Sequence, residues 1–439
     1  MSQVRTRVLV LGGGFGGLYT ALELERRLRD DSDVEVTLVN RENFFAFTPM
    51  LHEVAASDLD MAHIVNPVRK LLRRVRFFLG EVSGIDLAAK TVVVSHGSDH
   101  HTHELPYDHL ILGLGSTTNF FGLPGLAERA LTMKSLSDAA TLRGRLIDHL
   151  EEAATECAAV SCQRGPLLTC VVAGGGFAGV ETIAGVNDFI LESLRYYPSL
   201  GAEHVRMVLV HSGPRILPEL GEKLGRYAER QLARRGIEIR LGVHVSGCSD
   251  AGVHLDDGST IPAKMLVWTA GTAPHPVLDT LPVERERGRI VVDERLRVPG
   301  VPGVWAIGDC ALVPDRKTGG ACPPTAQHAL RQGRLLARNV LAVIAGKEPE
   351  PFRFATLGQL AAIGRRTGVA NVFGVNFSGF FAWWLWRTIY LSKLPRAEKK
   401  LRVALDWTLD LLFSKDIVQL GSLSHRSIPS PGSHAEVAR

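Results

Sequence analysis

Apolar residues change their spacing near the start of the chain, within residues 7–24, which read RVLVLGGGFGGLYTALEL. A short apolar run is followed by glycines and then by apolar residues at helical spacing, which predicts a strand, a tight turn and a helix. Gly12, Gly14 and Gly17 stand in the turn at the spacing Gly-x-Gly-x-x-Gly. That spacing is typical of dinucleotide-binding turns, because the glycines allow a positive φ, a close approach of the backbone to a pyrophosphate, and close packing of the helix on the strand.

The same change of spacing occurs again at residues 169–181, which read TCVVAGGGFAGVE. Gly174, Gly176 and Gly179 repeat the glycine spacing between a second apolar run and a second helical pattern. A single glycine string is a weak signal, because such turns occur in many folds. Two copies favour two nucleotide-binding turns.

Two further segments repeat each other, and each follows one of the glycine turns. Residues 108–116 (DHLILGLGS) and 265–272 (MLVWTAGT) both read as a strand that runs into a turn. Gly113 lies 101 residues after Gly12, and Thr269 lies 95 residues after Gly174. The chain is therefore predicted to be an α/β protein built from a duplicated dinucleotide-binding unit.

Composition narrows the class of protein. The chain has 439 residues with 45% hydrophobic content, which is enough for two or three domains with their own cores. Its net charge of +4 lacks the strong local basicity of nucleic-acid-binding proteins, so no nucleic acid is expected as a ligand. No run of about 18 apolar residues predicts a transmembrane helix, and the short polar start predicts a cytosolic protein without a secretory signal.

Cysteines and histidines predict no metal site. The six cysteines are scattered, as expected for reduced thiols in a cytosolic enzyme. Cys157 and Cys162 are close enough to suggest a redox pair, but their surroundings favour inert thiols. His96 and three histidines at positions 100, 101 and 103 lie in one predicted hairpin loop, where a solvated turn is the better interpretation.

A third motif makes a family resemblance specific. Residues 303–311 read GVWAIGDCA, a strand ending in Gly308-Asp309. Together with the two glycine turns, it resembles the pyridine nucleotide–disulphide reductase superfamily. Within that superfamily, residues 5–420 look like the type II NADH dehydrogenases. The motifs that carry this resemblance are FTPMLHEVA (47–55), YDHLILGLGS (107–116), GGGFAGVE (174–181), SGPRILPEL (212–220), VWAIGDCA (304–311) and TAQHALRQG (325–333).

The resemblance implies a fold and a domain order. The fold is α/β with two Rossmann-like dinucleotide-binding domains, the second inserted in the first, plus C-terminal amphipathic helices. The expected parts are a discontinuous FAD-binding domain (1–125 and 286–345), an NAD(P)H-binding domain with a leading helical linker (126–285), a C-terminal membrane-association or interface region (346–420) and a disordered tail (421–439).

The resemblance also implies an activity, the transfer of two electrons from NADH to a membrane quinone through FAD without proton pumping. Asp309 would lie near the ribityl and phosphate part of FAD. The residues expected to bind FAD or the nicotinamide nucleotide are Gly12, Gly14, Phe15, Gly16, Gly17, Asn40, Arg41, Thr48, Gly115, Gly174, Gly176, Gly179, His211, Gly271, Asp309, Ala326 and Gln327.

Two residues are expected to be catalytic. By the resemblance, Ala326 and Gln327 sit at the flavin face where the quinone arrives, and the Gln327 amide can donate to a quinone carbonyl. The alternative is a helix start after two prolines that only packs. Glu181 would lie beside the nicotinamide, where it could hold the carboxamide or carry a proton to reduced quinone. Its alternative is an ordinary first-turn glutamate favoured by the helix dipole.

Two strand ends lack the carboxylate that usually binds the adenosine ribose. The first ends at Asn40, whose amide can still bind a hydroxyl, with Glu42 as a possible substitute. The second ends at His211 where the family commonly has a glutamate, and Ser212 and Arg215 follow. Without that carboxylate a 2′-phosphate is not repelled, so the choice between NADH and NADPH is open.

Two C-terminal segments are predicted to be amphipathic helices. Residues 376–394 hold three of the six tryptophans, a basic segment follows, and residues 401–413 read LRVALDWTLDLLF. The polar stripe predicted there consists of Lys399, Arg402, Asp406 and Asp410.

Aromatic helices beside cations are what a peripheral membrane anchor requires. We therefore expect Trp383, Trp384 and Trp386 at the cytoplasmic side of the cell membrane, and the nucleotide sites complete before Phe380. The alternative is packing in the core or a homodimer interface.

Three rival functions remain open at this point. A sulfide:quinone oxidoreductase shares the fold but needs a cysteine well beyond Asp309, whereas Cys322 is the last one in this chain. A soluble diaphorase or ferredoxin reductase would not need the tryptophan-rich C-terminus. A non-catalytic NADH-sensing flavoprotein would bind both nucleotides without turnover.

Overall fold

A computed structural model describes residues 5–28, 33–97, 99–155 and 161–418. Cys157 and the predicted tail at 421–439 lie outside these ranges, and so does the side chain of Cys162. The α-helices of the described residues, in chain order, are α1 Phe15–Arg27, α2 Leu51–Ala55, α3 Val68–Leu71, α4 Leu126–Arg129, α5 Leu136–Thr155, α6 Ser161–Leu167, α7 Phe177–Ser193, α8 Gly221–Arg234, α9 Ala326–Ile344, α10 Phe380–Lys393 and α11 Ala397–Leu412.

The strands of the same ranges are short, as is usual for an α/β protein. In chain order they are β1 Thr6–Leu11, β2 Val34–Asn40, β3 Phe44–Ala46, β4 Val65–Pro67, β5 Arg76–Leu79, β6 Glu81–Asp86, β7 Thr91–His96, β8 His101–Pro106, β9 His109–Leu112, β10 Ser116–Thr118, β11 Leu131–Thr132, β12 Thr169–Ala173, β13 Arg206–His211, β14 Ile237–Leu241, β15 Val245–Ser249, β16 Gly252–Leu255, β17 Thr260–Ile261, β18 Met265–Trp268, β19 Thr272–Pro274, β20 Arg285–Glu286, β21 Arg289–Val291, β22 Val304–Ala306, β23 Ala311–Leu312, β24 Gly358–Ala362, β25 Gly368–Val372 and β26 Val375–Gly379.

Contacts divide the chain into two compact units, each assembled from three stretches of sequence. The first unit takes the described residues of Met1–Phe47, Val65–Asn119 and Gly271–Gln359. The second takes those of Thr48–Ile64, Phe120–Ala270 and Leu360–Arg439.

The first unit is built on a five-stranded parallel sheet in the order β22-β9-β1-β2-β5. The crossover from β1 through α1 to β2 follows the predicted strand, turn and helix, and parallel neighbours need such a crossover. Helix α9 packs so closely on α1 that there is no room for a side chain at Gly333, where a Cβ would lie 2.3 Å from the Gly16 carbonyl oxygen. The smaller sheets of this unit are β3-β4, β6-β7-β8, β10-β19 and β20-β21-β23.

The second unit repeats the plan with a parallel sheet in the order β11-β18-β12-β13-β14. Strand β12 is buried along its whole length, and α7 follows it after the second glycine turn. The smaller sheets are β15-β16-β17 and β24-β25-β26. Each glycine turn thus lies at the carboxyl end of a central parallel strand, the position at which open α/β sheets bind ligands.

The histidine-rich segment is more ordered than predicted. His101 and His103 belong to β8 rather than to a loop, and His96 ends the neighbouring strand β7. The ring nitrogens Nε2 of His96 and His103 lie 2.7 Å apart on the exposed surface. Across the described ranges, no group of three or more His, Cys, Asp and Glu side chains is placed to hold a metal ion.

Both C-terminal helices form as predicted, but the residues that they bury and expose differ from the prediction. Trp383 and Trp386 of α10 are buried in the second unit, and of the three tryptophans only Trp384 is exposed. The expectation that all three line an interface is therefore wrong. Bulky aromatic rings fill the interior here because α10 packs directly on β25 and β26.

Helix α11 turns part of its polar stripe inward. Lys399 donates to the Ala62 carbonyl at 2.6 Å, and Asp406 accepts from His63. The apolar residues of α11 are divided between the two sides, since Val403 and Trp407 are buried whereas Leu401, Leu405, Leu409 and Leu412 are all at least half exposed. Lys399 is thus not available to a lipid surface, whereas the leucines are. Within the described ranges, every helix is too short or too polar to cross a membrane.

Candidate active site

The first glycine turn has the geometry of a pyrophosphate cradle. Gly12 has a φ of +96°, and a Cβ on Gly17 would lie 1.9 Å from the Gly12 carbonyl oxygen. A Cβ on Gly14 would meet nothing within 4 Å, which leaves open space in front of the turn. Helix α1 begins there without a side-chain cap among the described residues, so its first N–H groups can donate to an anion.

The end of β2 holds this turn in place. The Gly13 N–H donates to Asn40 Oδ1 at 2.8 Å, and the Asn40 amide in turn donates to the Glu42 carbonyl at 2.8 Å. Asn40 therefore ties the turn to the strand end in addition to lying at the predicted ribose position. Glu42 contributes its backbone, and its side chain and Arg41 are exposed.

Asp309 lies beyond β22 in a short 3-10 turn of the same unit. Its Oδ2 accepts from the Ser116 hydroxyl at 3.0 Å, directly after Gly115. The Gly308 N–H donates to Gln332 Oε1 at 2.8 Å, and Gly308 has a φ of +72°. The structure thus joins the two predicted turns around Gly115 and Asp309. Gln332, which the sequence did not single out, is buried and fixes the second of them.

The start of α9 exposes part of Gln327. Its Nε2 donates to the Gly358 carbonyl at 2.9 Å, and its own backbone carbonyl accepts from Arg331 at 2.9 Å. The guanidinium of Arg331 lies 4.0 Å from the centre of the Phe354 ring, which fixes its position. Because an amide has two N–H donors, Gln327 keeps one for a ligand.

The second glycine turn repeats the first one closely. Gly174 has a φ of +115°, and a Cβ on Gly179 would lie 1.8 Å from the Gly174 carbonyl oxygen. A Cβ on Gly176 would again meet nothing within 4 Å, and α7 begins without a side-chain cap among the described residues. His211 has the role in this turn that Asn40 has in the first one. Its Nδ1 accepts from the Gly175 N–H at 3.1 Å.

The protonation of His211 follows from this hydrogen bond. Burial lowers the pKa of His211, and Nδ1 must be unprotonated to accept. The ring is therefore neutral near pH 7, with its proton on Nε2, and a hydrogen bond to the Arg215 backbone acts to raise its pKa.

Glu181 lies one turn into α7 and is buried. Its Oε1 accepts from the Ala362 N–H and from Trp386 Nε1, both at 3.0 Å. Burial raises the pKa of Glu181 to about 8, against the effect of these two donors. The side chain is therefore mostly protonated at neutral pH. Trp386 belongs to α10, so Glu181 has a hydrogen-bond partner beyond Phe380. The expectation that the sites are complete before Phe380 stays a prediction.

A second buried carboxylate, Glu53 of α2, lies in the same unit. Trp407 Nε1 donates to its Oε2 at 3.1 Å, and Arg387 lies 3.8 Å from its Oε1. The Arg387 guanidinium sits 4.2 Å from the centre of the Trp383 ring and 4.7 Å from that of Trp407. Burial raises the pKa of Glu53 to about 8, whereas Arg387 and the Trp407 N–H act to lower it.

Comparison with known families agrees with this geometry. The model of the pyridine nucleotide-disulphide oxidoreductase family matches residues 6–333, and the model of the NDH2 C-terminal domain matches residues 357–416. A type II NADH:quinone oxidoreductase of Mycobacterium tuberculosis is 34% identical over 94% of this chain and 89% of its own length. The chain belongs to the type II NADH:quinone oxidoreductases. This confirms the predicted family and enzyme class.

Other relatives in this family agree. A probable NADH dehydrogenase of Dictyostelium discoideum is 32% identical over 94% of this chain and 90% of its own length. The solved structure of NDH2 from Plasmodium falciparum in complex with NADH has a TM-score of 0.88 at 21% identity, covering 94% of this chain and all of that one. That match shows a shared fold and confirms the predicted α/β class.

The structure distributes the predicted site residues of this type II oxidoreductase over both units. The first unit contains Gly12 to Gly17, Asn40, Gly115, Asp309, Ala326 and Gln327, and the second contains Thr48, Gly174, Gly176, Gly179, Glu181 and His211. Phe15 packs edge-on against Phe45, with ring centres 5.0 Å apart, and so has a packing role. The carbonyl of Gly271 accepts from Asn119, and Thr48 is exposed.

The buried cluster around His52, Glu53 and Arg387 is not among the residues that the sequence patterns indicate. Its members lie up to 335 positions apart in the chain, so no local spacing reveals them. One signal was available. The motif FTPMLHEVA places a histidine and a glutamate within an otherwise apolar stretch, and ionisable residues are rarely buried without partners.

Proposed function

We propose that this protein transfers two electrons from NADH to a quinone through bound FAD, with FAD on the first glycine turn and the nicotinamide nucleotide on the second. The observation that carries the proposal is the same cradle built twice, once in each unit. In both copies the backbone packs too tightly for a side chain, yet the space before the helix is open. Membership in the type II NADH:quinone oxidoreductases supports the substrates.

The residues of the first unit fit FAD. The uncapped start of α1 would bind the pyrophosphate, and Asn40 and Asp309 would bind hydroxyls of the ribose and ribityl parts. Bound FAD supplies a two-electron acceptor for the hydride of NADH and a donor for the quinone. The protein positions the substrates, excludes water and provides protons.

Glu181 would provide a proton for quinone reduction. A carboxyl group that is protonated near pH 7 can donate a proton, whereas binding the carboxamide needs no raised pKa. This observation favours the first of the two predicted roles.

The proposal is tested by mixing the purified holoenzyme with reactants in two anaerobic steps. NADH should bleach the flavin absorbance, and a short-chain quinone added afterwards should restore it. Extraction should yield FAD rather than FMN. A protein whose flavin is not reduced by NADH, or whose reduced flavin ignores quinone, is not the enzyme proposed.

The role of Gln327 in quinone binding predicts a selective defect. Gln327→Ala should slow reoxidation by quinone about tenfold or more, because a hydrogen bond to the quinone carbonyl is lost, while reduction by NADH stays nearly unchanged. Rapid mixing measures both steps. Gln327→Glu is a matched control, because it keeps the shape and removes the amide donor. Equal losses in both steps would contradict the role.

The choice of nucleotide depends on His211. His211→Glu places a carboxylate where a 2′-phosphate would bind, and should lower kcat/KM for NADPH relative to NADH by about tenfold or more through charge repulsion. His211→Gln keeps a similar reach without the charge and should leave the ratio nearly unchanged. If His211→Glu does not move the ratio, the adenosine ribose does not bind at this strand end.

We also propose that α10 and α11 place the enzyme on a membrane surface. The exposed leucine stripe of α11 continues into Leu411 and Phe413, and exposed Phe380, Phe381 and Trp384 lie on α10. Such an apolar surface needs an apolar partner. Because a peripheral NADH dehydrogenase must face the compartment that holds NADH, we propose the cytoplasmic side.

Vesicle binding tests this surface. Leu405→Ser with Leu409→Ser should weaken binding to anionic vesicles about tenfold or more, because two exposed leucines no longer enter the lipid. Leu191→Ser, an exposed leucine on α7, is the control and should bind as the wild type does. If the wild type ignores vesicles and the double variant instead splits a dimer, the stripe is a subunit interface.

A further inference from the structure

The two carboxylate oxygens of Glu181 have different surroundings. Oε1 accepts from the Ala362 N–H and Trp386 Nε1, so its lone pairs face donors. Oε2 lies 3.6 Å from Nδ1 of His52, which is on α2. A proton bound to Glu181 therefore belongs on Oε2, facing the imidazole. The distance exceeds a normal hydrogen bond by about half an ångström, and such contacts often tighten when substrate binds.

The second nitrogen of His52 is free to take part in proton exchange. The Nε2 atom is buried and has no hydrogen-bond partner among the described residues. The ring is fixed edge-on by Trp386, with ring centres 5.3 Å apart. Neutral imidazole has one donor and one acceptor nitrogen, so it can take a proton at one and release it from the other.

Neither partner carries a charge near neutral pH. Burial lowers the pKa of His52 to about 4, with Asp58 raising it and Arg387 lowering it further. Burial raises the pKa of Glu181 to about 8, and Glu53 adds to that rise. Tyr390 of α10 also faces Glu181 and stays protonated, because burial raises its pKa. The contact is thus a neutral acid beside a neutral imidazole, which suits proton exchange better than an ion pair does.

The reaction itself requires a proton supply. NADH delivers a hydride, which is two electrons and one proton, whereas quinol formation takes two electrons and two protons. One proton per turnover must therefore come from the medium. If Glu181 donates a proton to the quinone, as the proposed function holds, it must be reloaded before the next turnover.

We propose that His52 is the relay through which Glu181 is reloaded. A proton from water binds Nε2, the Nδ1–H bond breaks, and an O–H bond forms on Glu181 Oε2. When Glu181 has given its proton to the quinone, its carboxylate again favours a proton on Nδ1, and the ring regains its first tautomer by releasing the Nε2 proton to water and taking up one proton from water at Nδ1. His52 thus acts through Glu181 and positions its proton. This inference rests on the proposed function of Glu181.

The test compares His52→Gln with wild-type holoenzyme between about pH 6 and pH 9. Glutamine keeps hydrogen-bonding capacity but does not pass a proton. Turnover with a short-chain quinone should be near wild type at the low end and about tenfold slower at the high end, where protons are scarce. Anaerobic flavin reduction by NADH should be unchanged. In a protein that already carries Glu181→Gln, adding His52→Gln should slow turnover no further.

His63→Gln is the matched control, since His63 belongs to the same unit and pairs with Asp406 instead. It should leave the pH profile unchanged. The relay would be overturned by any of three results in His52→Gln. These are a loss of turnover that is equal at every pH, a slowing of flavin reduction as large as that of turnover, and no loss of turnover at all. A wild type without quinone activity would instead defeat the proposed function, so the two failures are distinguishable.

Discussion

Gly17→Ala is expected to yield a protein that does not retain FAD. The new Cβ would lie 1.9 Å from the Gly12 carbonyl oxygen, so the turn must open or α1 must move away from β1. Overpacking of this kind costs about 1–3 kcal/mol or more and displaces the N–H groups that would bind the pyrophosphate. Flavin content, read from the absorbance of the purified protein, should fall to about a tenth of the wild-type value or less.

Gly179→Ala should weaken binding of the nicotinamide nucleotide and leave binding of FAD unchanged. Its Cβ would lie 1.8 Å from the Gly174 carbonyl oxygen, so the second cradle is disturbed while the first is untouched. The protein should stay yellow, yet its flavin should no longer be reduced by NADH at ordinary concentrations.

Gly144→Ala, in helix α5, is the control. Its Cβ would meet nothing within 4 Å, and alanine should stabilise the helix by about 1 kcal/mol. A Gly17→Ala variant that keeps its flavin, or a Gly179→Ala variant that loses it, would contradict the assignment of FAD to the first turn and of the nicotinamide nucleotide to the second.

The second large effect is expected on stability, from Arg387→Met. Arg387 and Glu53 are 12% and 6% exposed. Above a pH of about 8, where Glu53 is ionised, removing the cation leaves a buried carboxylate beside Trp407 without its counter-charge. Breaking such a pair costs about 3–5 kcal/mol, part of which Glu53 avoids by binding a proton. Urea unfolding followed by tryptophan fluorescence measures the loss.

The double variant Glu53→Met with Arg387→Met separates charge from packing. Replacing both partners by apolar side chains removes the uncompensated charge, so much of the lost stability should return. If the double variant is as unstable as Arg387→Met, the loss comes from the stacking of Arg387 between Trp383 and Trp407 instead.

These contacts also bear on C-terminal truncation. Removing the chain from Phe380 onwards takes away Trp386, Arg387 and Trp407, which are the partners of Glu181 and Glu53. The truncated protein is therefore expected to lose nucleotide-dependent activity together with stability. α10 and α11 contribute to the core of the second unit on one face and offer an apolar surface on the other.

The sequence was sufficient for the parts of the fold that depend on local patterns. Both glycine turns lie between a strand and a helix as predicted, because strand and helix periodicity and glycine spacing are local properties. Asn40 and His211 were found from their positions at strand ends. Their hydrogen bonds to Gly13 and Gly175 were not predicted, since these depend on how the turn folds back.

Long-range packing was beyond the sequence. Glu181 and Trp386 are 205 positions apart, and Glu53 and Trp407 are 354 apart, so nothing in either neighbourhood marks the contact. The direction of the α11 faces failed for the same reason. Its Lys399 and Asp406 follow a solvent-facing pattern, but the interior offers them Ala62 and His63 as partners.

The central claim, electron transfer from NADH to quinone, is tested most directly by stoichiometry. Purified enzyme is mixed with NADH and an excess of short-chain quinone in the absence of oxygen, and NAD⁺ and quinol are both quantified. We expect one quinol for each NADH oxidised, with continuous turnover. NADH oxidation that stops after one equivalent of bound flavin, or that proceeds without forming quinol, would contradict the account.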